Sequence, residues 1–286
     1  MRLNPFNPGN INVGTTGGGG GMGRAGGLGC GTIILAALGY FVFGLDPMQT
    51  AATIEGVQGS RQVASAPANE DVQAICTSNP YATETCNALS SLNDTWAPIF
   101  AQQNAAFRPP TLRFATAQQF NTACGPASTG MGPFYCPGDE TIYIDTAFYD
   151  ELARMAGNAG DFARYYVIAH EYGHHIQTIT GIAQQIRSAQ QAYPRRANEL
   201  QVLMELQADC YAGVWAGRNR NLLEPGDIEE GLMAASAIGD DTLQRQAGRR
   251  VNPETFTHGT SQQRMQALRL GLGGDDRQCD RITALG

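Results

Sequence analysis

The run His170-Glu171-Tyr172-Gly173-His174 restricts this chain more than any other part of it. An α-helix turns about 100° per residue, so the two histidines stack one turn apart on one face, with Glu171 beside them. The flanks favour that helix. Asp161 suits its start, no Pro and no Gly besides Gly173 interrupts Phe162 to Thr180, and Gly181 suits a left-handed stop. Tyr166, Val167, Ile168, Ala169 and Ile176 make most of its sides apolar, so it is expected to be buried. Two imidazoles in this register can grip one divalent cation, and Glu171 is then a candidate general base. A hydrogen-bonded histidine pair on a core helix fits the same five residues, so a further group must decide between the two.

That group stands in Met204-Glu205-Leu206-Gln207-Ala208-Asp209, inside a second helix-like run from Ala197 to Arg218. Glu205 and Asp209 are also one turn apart, on a face otherwise apolar or small through Val202, Ala212 and Gly213. Two unpaired carboxylates in such surroundings are strongly unfavourable. A metal ion removes the difficulty. Glu205 can join His170 and His174 as third ligand, and Asp209 can accept the outer N–H of a ligating imidazole. Three protein ligands leave a fourth tetrahedral position for water, as catalytic rather than structural zinc requires.

Together, HEYGHH and the downstream ELQADCYAG resemble the gluzincin metallopeptidases, in which HExxH is followed by ExxxD. More narrowly, the chain resembles the bacterial neutral zinc metallopeptidase family. The residues that carry this are Ile142-Tyr143-Ile144-Asp145, the ELQAD helix, and His258-Gly259-Thr260-Ser261-Gln262-Gln263-Arg264. The resemblance runs from Val72 to Leu272. It implies a zincin-like domain that cleaves peptide bonds, with one Zn2+ on His170, His174 and Glu205, Glu171 as base, and Asp209 behind the ligands. Zinc in such a site brings the pKa of its water towards ~7. Glu171 then takes the proton as that water attacks the scissile carbonyl and returns it to the leaving amine. The resemblance also implies that the strand from Thr141 to Asp145 lies over the active-site helix and lends its edge to an extended peptide.

All four histidines lie in or beside these motifs. His258 precedes an expected helix start at Thr260 or Ser261, and two roles are open to it. It can be a catalytic donor to the oxyanion of the tetrahedral intermediate, with Arg264 as helper, or a surface-loop or capping residue. His175 is offset by about 100° from His174 and is expected to point away from the metal, in a structural role. Tyr143 and Tyr172 can approach a substrate, although buried tyrosines mostly pack and hydrogen-bond.

The chain's 286 residues leave room for one sizeable domain with segments outside it. A formal net charge of −7 and the lack of any basic stripe speak against nucleic-acid binding. Gly17 to Gly21 lack the Lys and the flanking strand of a phosphate-binding loop and read as linker. Residues 1–27, rich in Gly and Asn, are expected to form a flexible tail outside any core. Leu28 to Leu45 carries no charge; as a helix it spans about 27 Å, enough for one transmembrane pass. Arg2 and Arg24 precede it, so the positive-inside rule places the tail in the cytoplasm. The expectation is a single-pass protein of the bacterial inner membrane, with residues 46–70 as linker and 71–286 as a metallopeptidase domain in the periplasm or outside.

One cysteine, Cys30, falls within that span. Of the other six, Cys76–Cys86 and Cys124–Cys136 are favoured as local loops, which leaves Cys210–Cys279 to tie the C-terminal tail to the ELQAD helix. Such bonds persist in an oxidising compartment. Helices are expected within 70–107 and at Thr146–Ala156, Asp161–Thr180, Ala197–Arg218, Asp227–Gln246 and Ser261–Leu272. Strands are expected at Thr111–Ala115 and Thr141–Asp145, with a Gly/Pro-rich loop between them. The fold class is α+β, helix-rich with a small sheet.

Three functions fit. The first is a membrane-anchored zinc peptidase acting on a peptide or protein substrate. The second is a zinc-site scaffold or binding protein at the cell envelope, without turnover. The third is a zinc amidase acting on the cell wall. Glu171 favours the first over the second, since a site that only binds needs no base there. The sequence leaves the oligomeric state open.

Overall fold

Two long helices cross at the centre of the structure, a computed structural model that describes residues 1–16, 71–157 and 160–284. In chain order, strand β1 (Asn12–Thr15) precedes helices α1 (Val72–Cys76) and α2 (Pro80–Gln102). Then come strands β2 (Thr111–Phe114), β3 (Gln119–Thr122), β4 (Gly125–Ser128), β5 (Phe134–Cys136) and β6 (Thr141–Ile144). Helices α3 (Phe148–Ala156), α4 (Asp161–Ile179), α5 (Ile182–Ala192) and α6 (Ala197–Arg218) follow. The C-terminal part adds α7 (Asp227–Ala237), α8 (Asp240–Gln246), α9 (Ser261–Gly271) and α10 (Asp276–Asp280). The class is α+β and helix-rich, as expected.

Close backbone approach sets the helix packing. A Cβ on Gly173 of α4 would lie 2.8 Å from the Cα of Ala208, so only glycine lets α4 and α6 meet this closely. On its other side α6 meets α9 with Gly213 against Gly271 and the Leu268 carbonyl. Aromatic side chains fill what remains. Trp96 of α2 stands edge-on to Tyr211 with ring centroids 5.3 Å apart, and Phe162 stacks with Trp215 at 6.2 Å.

The main sheet runs in the order β1-β2-β6-β5. Its first three strands are parallel, and β5 is antiparallel to β6. Alternation along β6 explains why all four of its residues are buried. Ile142 and Ile144 face the central core, whereas Tyr143 packs with Phe134 and Phe120 towards the β3–β4 hairpin. The strand over the active-site helix was expected to lend its edge to a peptide, and here the structure differs. Both sides of β6 are paired, and β5 is an edge strand, as β1 is on the other side. The expected Asp227–Gln246 helix is two helices, broken where Gly239 passes against Ser261. Helix α5 was not expected; Ala183 and Ile186 bury one side of it against Leu200 and Met204.

The expected disulfides are formed: Cys76–Cys86, Cys124–Cys136 and Cys210–Cys279, with Cα atoms 5.8, 5.8 and 5.6 Å apart. They tie α1 to α2, brace the loop ahead of β5, and fasten α10 to α6.

The N-terminal residues require a correction. Residues 1–16 do not hang free: Ile11 and Val13 are buried in the core, and β1 pairs residue by residue with β2. The Met1 ammonium lies 3.0 Å from Asp161 and 2.9 Å from Asp227. Asp161 is accordingly engaged there and is the first residue of α4, while Gly160 occupies the cap position. The proposed transmembrane helix, residues 28–45, lies outside the described residues, but single-pass anchoring in the inner membrane is overturned. A single crossing would put residues 12–15 and 111–114 on opposite sides, and they are neighbours in one sheet. Among the described residues, no helix is long and apolar enough to cross a membrane.

Candidate metal centre

The close crossing at Gly173 and Ala208 aims the polar faces of α4 and α6 at each other. Glu205 Oε2 lies 3.2 Å from His170 Nε2 and 3.4 Å from His174 Nε2. The two imidazoles stand edge-to-face, with centroids 4.8 Å apart and planes at 86°. One ligand atom from each of His170, His174 and Glu205 falls within 4.8 Å of the others, and all three residues are buried. His174 Nε2 is buried without a hydrogen-bond partner, an atom that requires an explanation in a packed interior. Two imidazole nitrogens and one carboxylate oxygen form a donor set suited to a single divalent ion, and a cation would engage that orphaned nitrogen.

Each of these three side chains is held from behind. His170 Nδ1 is 2.7 Å from Asp209 Oδ1, the contact expected from the i, i+4 register of the two acids. Asp209 also accepts from the Tyr166 hydroxyl at 2.5 Å and from Arg264 Nε and Nη2 at 2.8 and 2.9 Å. Arg264 therefore does not assist His258 as expected; its guanidinium is fully buried and committed to Asp209. Gln201 Nε2 donates to Glu205 Oε1 at 2.8 Å, and Gln177 Oε1 lies 2.9 Å from His174 Nδ1. Sequence reasoning missed Tyr166, Gln177 and Gln201. A signal was available, because Tyr166 stands four residues before His170, Gln201 four before Glu205, and Gln177 three after His174.

The charges are coupled. Burial alone would lower the pKa of His170, but the Asp209 carboxylate outweighs it and raises the imidazole to about 9. Burial pushes Asp209 up, whereas Arg264 and His170 bring it to about 2. Glu205 feels the same burial, and the two histidines hold it well below the usual carboxylate range. Glu171 moves the other way: burial raises it against the pull of His170 and His174. A hydrogen bond from the Tyr135 main chain on β5 also reaches this carboxylate.

His258 is buried, which removes the surface-loop role. Its Nδ1 lies 3.1 Å from Asp240 Oδ1, and Asp240 Oδ2 accepts main-chain N–H groups from Thr257, His258 and Gly259 at 2.7, 2.6 and 3.0 Å. Its loop rests on α6 at Val202 and Leu206, and its proximity is one of the causes that lower Glu205. His175 points elsewhere, as expected. Its Nε2 donates to the Arg108 carbonyl at 2.6 Å, its Nδ1 lies 3.1 Å from the Tyr135 hydroxyl, and burial lowers it to about 4. Tyr143 and Tyr172 donate to Asp139 and Asn93 instead of entering the site.

Comparison with known proteins agrees with this geometry. Residues 8–282 match the family described as "Putative neutral zinc metallopeptidase". The chain is 42% identical over 252 residues to "Uncharacterized protein YpfJ" of Escherichia coli strain K12, covering 87% of this chain and 84% of that protein. It is also 42% identical over 209 residues to "Uncharacterized protein Rv2575" of Mycobacterium tuberculosis, covering 68% of each. No solved structure matches it. With nearly the whole sequence matched, including the helices that carry His170, His174 and Glu205, the chain belongs to the family described as "Putative neutral zinc metallopeptidase".

Proposed function

We propose that this protein hydrolyses peptide bonds at a zincin-like site in which His170, His174 and Glu205 hold one zinc ion. The observation that carries this reading is the convergence of those three buried side chains around an unpartnered His174 Nε2. When bound, zinc supplies Lewis acidity, acidifying water and polarising a carbonyl oxygen. The chain's own residues supply the rest. Asp209 accepts the hydrogen bond from His170 Nδ1–H and leaves Nε2 turned to Glu205. Glu171, raised by burial beside both histidines, takes a proton from the attacking water and passes it to the leaving amine. His258, fixed by Asp240, is the donor to the developing oxyanion.

The substrate we infer is an extended peptide lying along β5, the edge strand whose Tyr135 main chain already reaches Glu171. The three disulfides suit an oxidising environment. A diverse peptide library incubated with zinc-loaded wild type and Glu171→Gln tests the reading. Cleavage by wild type is expected, with a loss of at least about 100-fold in the variant and zinc retained. Zinc-loaded wild type that cuts nothing would instead support a zinc-site scaffold. Equal cleavage by the two would remove Glu171 from the mechanism.

A further inference from the structure

His170 is backed by a carboxylate, but His174 is backed by a neutral amide, and that amide leads into a chain of buried polar groups. Gln177 and Gln207 are both fully buried. Gln177 Nε2 lies 2.7 Å from the Met204 carbonyl and 3.0 Å from Gln207 Oε1. Gln207 Nε2 lies 3.3 Å from the Cys279 carbonyl and 2.9 Å from the Thr283 hydroxyl.

The direction of this chain follows from its two ends. A main-chain carbonyl only accepts, so the Gln207 atom facing Cys279 must be the amide nitrogen, and Gln207 Oε1 must face Gln177. The Met204 carbonyl imposes the same choice on Gln177, whose Oε1 is then turned to His174 Nδ1 at 2.9 Å. An amide oxygen cannot donate. The proton of a neutral His174 therefore sits on Nδ1, and Nε2 carries a lone pair directed towards Glu205, 3.4 Å away. Reversing either amide would set nitrogen against nitrogen or oxygen against oxygen at a buried position, where unmade hydrogen bonds are strongly unfavourable.

We propose that Gln177 and Gln207 are positioning residues that lock His174 in the Nδ1–H tautomer and so preset its Nε2 as a metal ligand. The Cys279 carbonyl that anchors the chain belongs to α10, which the Cys210–Cys279 disulfide fastens to the same helix that carries Glu205. The inference rests on the metal-centre reading, and two measurements separate them. In metal-free wild type, long-range 1H–15N correlation spectra taken at a pH where His174 is neutral are expected to show Nδ1–H. An Nε2–H tautomer overturns the proposal without reference to any metal.

The second measurement is zinc affinity, by competition with a chelator, for wild type, Gln177→Leu and Gln207→Leu, with circular dichroism and melting to establish that each is folded. Gln177→Leu is expected to weaken binding about 10- to 100-fold, and Gln207→Leu to weaken it less in the same direction. Unchanged affinity in folded Gln177→Leu overturns the proposal. Wild type that shows the Nδ1–H tautomer yet binds no zinc supports the relay and strikes the metal centre instead.

Discussion

Asp240 collects three main-chain N–H groups and the His258 ring in a buried position, which makes it the carboxylate that shapes this loop. Burial alone would raise its pKa, but the bonds from His258 and the main chain outweigh that and lower it. A carboxylate lowered in the folded state stabilises the fold above its unfolded value, and the contribution disappears as pH falls through the folded value. The stability gap between wild type and Asp240→Asn is therefore expected to shrink as pH falls from about 5 to about 3. Urea unfolding across that range checks it; a gap that widens on acidification would contradict it. At this scale the sequence revealed the residues that depend on one helix. His170, Glu171 and His174 follow from register within a single turn, and so do Glu205 and Asp209. Partners supplied across the fold were not legible. Arg264 finds Asp209 from another helix, Asp240 was hidden inside a helix read as continuous, and a buried glutamine such as Gln207 looks like ordinary polar surface.

The element on which the site depends is the α4–α6 crossing. Gly173→Ala would drive a methyl group into the Ala208 backbone, and neither helix can yield by a side-chain rotation alone. A stability loss of about 1–3 kcal/mol is expected, together with weaker zinc binding, because separating the helices draws Glu205 from the histidines. Thermal melting and chelator competition measure both; a variant with wild-type values in each would show that the close approach is not what assembles the site. The long helices were legible because their apolar period persists over several turns. Strands β2 and β6 were legible from their alternation, but the β3–β4 hairpin, β5 and α5 were not. The hairpin lies in a Gly- and Pro-bearing stretch that reads as loop, and β5 holds only three residues. Helix α5 carries so many Gln, Ala and Ser residues that its one buried edge is hard to see.

For the whole molecule, contacts distant in sequence decide the architecture. No local pattern reveals that residues 12–15 pair with residues 111–114, and that single pairing removes the single-pass topology suggested by an apolar run. The disulfides were legible because two of them close short loops and the third is what remains. The Cys210–Cys279 bond spans 69 residues and restricts the unfolded chain most, by about 4 kcal/mol against about 3 for the shorter loops. Replacing both of its cysteines by Ser should lower the unfolding free energy more than the same change at Cys76 and Cys86. The reverse order would show that strain or residual structure outweighs loop length.

The central claim is that His170, His174 and Glu205, from two helices, hold one metal ion together. Metal content of purified wild type and Glu205→Ala, measured by elemental analysis after dialysis against a buffered trace of zinc, tests it most directly. The expected result is about one zinc per wild-type chain and little in the folded variant. Equal occupancy in the two proteins would contradict it.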